Sequence, residues 1–355
     1  MLQSYTKRIE EANAYSSILC RGDRVKYLVG IDIGGTNTVI GLFNRDLDLI
    51  DKTNVPTLKS NFPQKTSNPT DFFDLLVSEI KALVSKFGSI EQLNCVGIGV
   101  PGKVDSQTGV ALGAVNLGYV NVPFANEMAE RLHVPVFIDN DVRNYTRGEA
   151  FKGKGSGYSN LICLTLGTGL AAGVMVDGKV ISGYNNYAGE IGHDTIIGET
   201  SLCNCGKHGC LETVASASGI TRLAKKAIKA GHKTVLYEKP DDQLTSFDVY
   251  LASLQGDKVA INIFDYVGRV LATKLVTLTF LLNPEAIIIG GGAASAGDFL
   301  LNPIKEVFHE YYGVLNEVPI ITTGSLGDSA GLYGSAHLAL SRKKDKGIVS
   351  KKGSS

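Results

Sequence analysis

Residues Tyr27–Phe43 read YLVGIDIGGTNTVIGLF. Two runs rich in β-branched and aliphatic residues flank Gly34-Gly35, a strand–turn–strand signal. Paired glycines let backbone N–H groups approach an anion closely. Thr36 and Asn37 add side-chain donors, and Asp32 is the only charge at the end of the first strand. A carboxylate there suits Mg²⁺, reached through water. No Gly-Lys-Ser/Thr follows, so the turn is not a P-loop.

A second unit of the same kind lies further along. Asn160–Leu166 (NLICLTL) and Ala171–Val176 (AAGVMV) flank Gly167-Thr168-Gly169. Two strand–turn–strand units in one chain predict two related lobes facing a cleft. Between and after them, apolar runs alternate with helical spacing. Cys95–Val100 and Val136–Asp139 read as strands buried on both faces. Phe72, Leu76, Ile80, Leu83 and Phe87 fall on one helical face, with Gly88 as the stop. A helical stretch over 257–282 leads into Ala286–Gly290, AIIIG, and then Gly290-Gly291-Gly292. Small residues there let a flat base or ribose lie close to the backbone. Such alternation argues for an α/β fold.

Composition sets the outer limits. The chain has 355 residues, with 35 Lys+Arg against 35 Asp+Glu, so its net charge is zero. It lacks the basic excess of a nucleic-acid binder. Hydrophobic residues make up 44% and charged residues 20%, which is globular rather than disordered. Glycine, at 41 residues, is over-represented against a usual share of about 7%. The stretch before Tyr27 has no apolar core, so it is not a secretory signal. The uncharged run Gly155–Val176 holds five glycines and reads as strands and turns, not as a membrane span. The expected location is cytoplasmic, with no membrane or nucleic-acid partner.

Three of the six cysteines, Cys203, Cys205 and Cys210, cluster on one Gly-containing loop, a spacing that suits a metal ion. With one imidazole they make a Cys₃His set, the donor set of a closed structural zinc site. His193 is the favoured fourth ligand, and His208 is its rival.

The order DIGGTN, GVPG (Gly99–Gly102), DND (Asp139–Asp141), LGTG and IIIGGG resembles the actin/hexokinase/Hsp70-type ATPases, which have a ribonuclease H-like fold. The E-x-G-H of Glu190–His193, followed by C-x-C-G-x-x-G-C-x-E over Cys203–Glu212, is more specific. It resembles the signature of the ROK family of sugar kinases and repressors, and the likeness runs from about Tyr27 to Leu340. The resemblance implies a two-lobed actin-like fold with an interlobe cleft and a structural zinc loop. It also implies transfer of the γ-phosphoryl group of ATP to the 6-hydroxyl of a hexose, with glucose first and N-acetylmannosamine or N-acetylglucosamine as alternatives.

Carried over residue by residue, the resemblance implies that Glu190, His193 and Glu212 contact sugar hydroxyls, with His193 also on zinc. Asn116 adds a sugar contact, Gly102 a backbone contact, Asn140 meets the reacting end of the sugar, and Asp141 is the general base. Asp32, Gly34, Gly35, Thr36 and Asn37, then Gly167, Thr168 and Gly169, handle the phosphates of ATP with Mg²⁺. Gly290, Gly291 and Gly292 meet the adenosine. Asp139 reads as structural. One departure stands out: family kinases often read Asn-Asp-Ala-Asn, whereas here Arg143 follows Asn140-Asp141-Val142. That bears on which sugar is preferred more than on the reaction.

The family also includes transcriptional repressors with a helix-turn-helix ahead of the first phosphate turn. The 26 residues before Tyr27 are too few for one. The expected organisation is a leader over 1–26, a small lobe over 27–145 joined by a helix at 330–342, a large lobe over 146–329, and a flexible tail over 343–355. Residues 328–334 would form the hinge. A homo-oligomer, dimer or tetramer, is expected.

Overall fold

The computed structural model describes residues 26–59, 70–114, 117–315 and 317–352. The leader expected over 1–26 lies almost wholly outside these residues, and so does Asn116. The chain divides into two compact units, one of residues up to 152 and from 328 onward, the other of residues 153–327.

The first unit is built on a five-stranded sheet. Its strands are β1 (Tyr27–Ile33), β2 (Asn37–Phe43), β3 (Leu49–Pro56), β4 (Leu93–Val100) and, later in the chain, β8 (Val136–Asn140). The order is β3-β2-β1-β4-β8, antiparallel among the first three and parallel from β1 onward. Between β4 and β8 run β5 (Lys103–Asp105), β6 (Val110–Ala114) and β7 (Tyr119–Val122), which form a small sheet of their own. Helix α1 (Thr70–Ser85) buries Phe72, Phe73, Leu76, Ile80 and Leu83 in one core with β1 and β4. It ends before Phe87, which is 45% exposed, so the apolar face is one turn shorter than its spacing suggests. The N–H groups of Phe87 and Gly88 both turn back to the Val84 carbonyl, which closes the helix.

Helix α2 (Phe124–Leu132) precedes β8, and α3 (Asp141–Lys152) follows it directly. The unit therefore extends past the boundary expected at 145, because α3 is continuous to Lys152.

The second unit repeats the plan. Strands β9 (Leu161–Leu166), β10 (Leu170–Val176), β11 (Lys179–Val180), β12 (Ala286–Gly290) and β13 (Ile320–Thr323) lie in the order β11-β10-β9-β12-β13. An antiparallel hairpin again gives way to parallel strands. Helices α4 (Ala217–Lys229), α5 (Ser246–Leu254), α6 (Lys258–Leu282) and α7 (Asp298–Glu310) pack against it in one core with β9 and β12.

The chain then re-enters the first unit as α8 (Ala330–Lys352). It is helical through the stretch from 343 expected to be a loose tail, as far as Lys352. Helix α8 lies close against β1, β4 and α3, and this contact uses part of the glycine excess. A Cβ on Gly97 would sit 1.8 Å from the Ser335 carbonyl oxygen, and one on Gly148 would sit 1.9 Å from that of Ala330. Backbone meets backbone there, and no larger residue fits. Among the described residues, no helix is long and apolar enough to cross a membrane.

Candidate functional site

In the first unit, sheet register builds the site. Asp32 pairs with Gly99, and Gly99 with Asp139, across three parallel strands. The carboxyl ends of β1 and β8 are thereby set side by side, separated only by a glycine. A Cβ on Gly99 would already press to 3.2 Å from Asp32 Oδ1.

The turn after Asp32 leaves Gly34, Gly35, Thr36 and Asn37 exposed. The Gly34 N–H donates to the Asn37 carbonyl at 2.9 Å. Thr57, on the segment after β3, braces the turn from behind. Its N–H donates to the Thr36 carbonyl at 2.8 Å, and its hydroxyl donates to the Gly34 carbonyl at 2.9 Å. Gly35 has nothing within 4 Å of where a Cβ would be, so the turn's front is open.

Asp32 is unusual. Burial, followed by the nearby carboxylates of Asp141 and Asp328, pushes its pKa up to about 7. Gly331, in the first turn of α8, leaves room for it: a Cβ there would lie 2.4 Å from Asp32 Oδ2.

Asn140 ends β8 and Asp141 opens α3. Asp141 Oδ1 accepts from Asn140 Nδ2 at 2.8 Å and from the Val142 N–H at 3.0 Å. Asn140 Nδ2 also donates to the Gly102 carbonyl at 3.0 Å. One carboxylate oxygen of Asp141 is thus held by two donors.

In the second unit, the turn Gly167-Thr168-Gly169 joins β9 to β10. The Gly167 N–H donates to the Gly169 carbonyl at 3.0 Å. The start of α4 is tied to the same turn. The Ala217 N–H donates to the Gly167 carbonyl at 2.8 Å, and the Ser218 hydroxyl donates to the Thr168 carbonyl at 2.6 Å. Beside it opens a cavity of about 530 Å³, lined by Thr168, Ser218, Thr221, Lys225, Leu244 and Thr245. The Gly290-Gly291-Gly292 turn meets the end of β9. Gly291 has φ +81, and a Cβ on it would lie 2.6 Å from the Leu166 backbone.

The segment bearing Glu190 and His193 lies flat along β10. A Cβ on Gly189 would be 1.8 Å from the Ala172 carbonyl oxygen, and one on Gly192 would be 2.0 Å from that of Leu170. Two glycines therefore bring this segment onto the strand. Glu212 connects it to the phosphate-type turn: its Oε2 accepts from the Leu170 N–H at 3.0 Å, and a Cβ on Gly169 would lie 2.4 Å from that oxygen.

His193, Cys203, Cys205 and Cys210 converge, with all four donor atoms within 4.8 Å of one another. Cys205 Sγ is 3.6 Å from Cys210 Sγ, and His193 Nδ1 is 3.8 Å from Cys203 Sγ. Sulfurs bound at about 2.3 Å around a tetrahedral ion sit about 3.8 Å apart, so the donor set fits Zn²⁺. His208, the rival ligand, turns away and places Nδ1 2.8 Å from the Thr200 carbonyl. His193 Nε2 lies 3.7 Å from Glu190 Oε2, so the ring's other nitrogen faces a carboxylate.

The sequence-derived residues are therefore grouped within each unit: Asp32, the Gly34–Asn37 turn, Asn140 and Asp141 in the first, and the second turn, Glu190, His193, Glu212 and the cysteines in the second. Thr57 and the cavity residues Ser218, Thr221 and Lys225 went unread. A lone threonine after a strand and one face of an amphipathic helix carry no distinctive signal.

Two sheets of one topology, each opening on a Gly-turn hairpin, place the chain in the actin-like ATPase fold. The ROK family pattern matches residues 28–342. A glucokinase from Halalkalibacterium halodurans is 37% identical, covering 88% of this chain and 94% of that protein. A glucokinase from Thermotoga maritima is 31% identical, covering 89% and 98%. The structure of a ROK family glucokinase from Streptomyces griseus in complex with glucose and AMPPNP aligns at a TM-score of 0.74 with 30% identity, covering 88% of this chain and 99% of that one. The chain belongs to the ROK family.

Proposed function

We propose that the chain is an ATP-dependent glucokinase that transfers the γ-phosphoryl group to the 6-hydroxyl of glucose. The observation that carries this reading is Asp141, a carboxylate fixed by two donors at the end of β8 and set in one unit with Asp32 and the open Gly34-Gly35 turn. The glucokinase relatives and the glucose–AMPPNP complex of a family member support the choice of sugar and donor.

In this reading Asp141 takes the proton of the 6-hydroxyl. Accepting it on Oδ2 keeps both hydrogen bonds on Oδ1. The sugar oxygen forms its bond to the γ-phosphorus as the bond to the β,γ-bridging oxygen breaks, and ADP leaves. Phosphoryl transfer of this kind depends mainly on positioning and charge stabilisation. The backbone N–H groups of the two Gly turns bind the phosphates. Asp32 would hold Mg²⁺, which neutralises phosphate charge when bound. The cavity beside Thr168 takes the nucleoside, with Ser218, Thr221 and Lys225 offering polar contacts and Leu244 an apolar wall. Glu190, His193 and Glu212 read the sugar hydroxyls, and a site of paired polar groups rejects analogues that leave them unpaired. His193, Cys203, Cys205 and Cys210 would hold Zn²⁺, whose chemistry there is structural: it fixes the loop and the imidazole. His193 Nδ1 faces the thiols, which leaves Nε2 on the side of Glu190.

A coupled assay of ADP release over a panel of hexoses and N-acetylhexosamines tests the proposal. Glucose should give the highest kcat/KM, with glucose 6-phosphate as product. Higher kcat/KM for an N-acetylhexosamine would replace the substrate, and no sugar-dependent ADP release would remove the activity.

A further inference from the structure

Arg143, the residue that departs from the family pattern, sits deep in the first unit. It is 2% exposed, and its ion-pair partner Asp139 is 1% exposed. Arg143 Nε lies 2.8 Å from Asp139 Oδ1, and Arg147 Nη2 lies 2.6 Å from Oδ2. One carboxylate thus faces two guanidinium groups. The same Oδ1 accepts from the Asn140 N–H at 2.8 Å.

The contacts of Arg143 run toward the proposed base from two directions. Its Nη2 donates to the Val104 carbonyl at 3.0 Å, anchoring the segment that begins at Gly102. Its backbone N–H donates to Asn140 Oδ1 at 3.1 Å, a bond any residue but proline would supply. The side chain instead reaches Asn140 through Asp139, whose Oδ1 accepts from the Asn140 N–H at 2.8 Å. Asn140 Nδ2 in turn donates to the Gly102 carbonyl and to Asp141 Oδ1. The Asn140 amide is therefore gripped at both ends, and rotating it would break all three bonds. Gly102 lies two residues before Val104, which the Arg143 side chain holds, and Asp141 directly follows Asn140.

We propose that Arg143, held on Asp139, is a positioning residue that fixes the orientation of Asn140 and hence of the Asp141 carboxylate; this rests on the reading of Asp141 as the base. Buried ion pairs are weak sources of net stability, because desolvation offsets much of the attraction. What this pair does supply is direction. The guanidinium donates to the Val104 carbonyl through Nη2 while its charge faces Asp139, and the single-point ammonium of a lysine cannot span both. Arg147 carries the network on: its Nη1 donates to Asn144 Oδ1 at 2.8 Å, and Asn144 Nδ2 donates to the Ser335 hydroxyl on α8 at 2.9 Å.

The test compares Arg143→Lys and Asp139→Asn with Asp141→Asn, measuring kcat, KM and Kd for glucose, and Tm on full-length protein. Both network variants should lower kcat roughly 10- to 100-fold, as expected for a displaced catalytic group, with a smaller loss of glucose affinity because Asn140 also meets the sugar. Asp139→Asn is isosteric and carries the same expectation should the lysine variant fail to fold. Folded variants with lowered Tm but wild-type kcat would reduce Arg143 to a packing role and overturn the proposal. So would a raised KM with unchanged kcat. Retained turnover in Asp141→Asn would instead sink the base assignment itself, a distinct result.

Discussion

The two Gly-turn hairpins share a sheet topology and a position within it, yet they carry different chemistry. At the end of β1 stands Asp32, an acid, whereas the matching place on β9 is Thr165, a neutral residue. The first turn is braced by Thr57 and follows a carboxylate that has room only because residue 331 is glycine. The second is braced by Ser218, opens on a cavity and borrows its carboxylate, Glu212, from the loop that bears the cysteines. A repeated frame thus divides the work. In the proposed kinase, the first turn manages charge and metal, and the second manages the nucleoside and its link to the sugar loop.

The sharpest way to break this comparison is to remove each strand-end side chain. Asp32→Ala should lower kcat by roughly 10²- to 10³-fold, the scale of losing one preorganised electrostatic group. Thr165→Ala should stay within about threefold. Equal losses in the steady-state assay would mean the two turns do the same job.

Removing a cysteine is expected to act on one unit only. Cys205→Ser should lose the bound metal, about one zinc per chain by elemental analysis, and raise KM for glucose, because His193 loses its anchor. Unchanged metal content and unchanged KM would refute the zinc assignment.

Two glycine-to-alanine substitutions make a matched pair, since each drives a Cβ to 2.4 Å from a carboxylate oxygen. Gly331→Ala pushes on Asp32 and should raise the Mg²⁺ concentration needed for half-maximal rate. Gly169→Ala pushes on Glu212 and should raise KM for glucose instead. A titration of each variant against Mg²⁺ and glucose separates the two, and a swap of the two phenotypes would undo the assignment of roles.

The smallest effect is one of stability. Asp32 titrates near 7 in the folded chain against an ordinary value of 3.8. The folded chain therefore binds this proton more tightly than the unfolded one. Its burden on stability is absent below about pH 4, grows as the pH rises toward 7, and is constant above that. In nucleotide- and Mg²⁺-free protein, Asp32→Asn should raise Tm by a few degrees at pH 8 and leave it unchanged at pH 4. A gain at pH 4 equal to that at pH 8 would rule out the titration.

Much of this was legible in the chain because glycines punctuate it. DIGGTN and LGTG interrupt apolar strands, so turns and strands announce themselves, and C-x-C-G-x-x-G-C confines three thiols to one loop. The Asp139–Arg143–Arg147 cluster was not legible. Asp139 reads as structural, but its partners do not show in the chain, because it lies near the end of β8 while Arg143 and Arg147 lie on α3, and only the folded structure buries the three together. Phe87 misled for the opposite reason: it keeps the helical period, but the chain has left the helix by then. Thr57 and the Ser218–Lys225 face contribute through tertiary contacts that no local pattern encodes.

The most direct test of the central claim is Asp141→Asn assayed for ATP-dependent glucose phosphorylation, with glucose binding and metal content measured on the same preparation. The expected result is a loss of roughly 10²- to 10⁴-fold in kcat, the usual contribution of a general base, with glucose affinity and zinc retained. Wild-type turnover in that variant would contradict it.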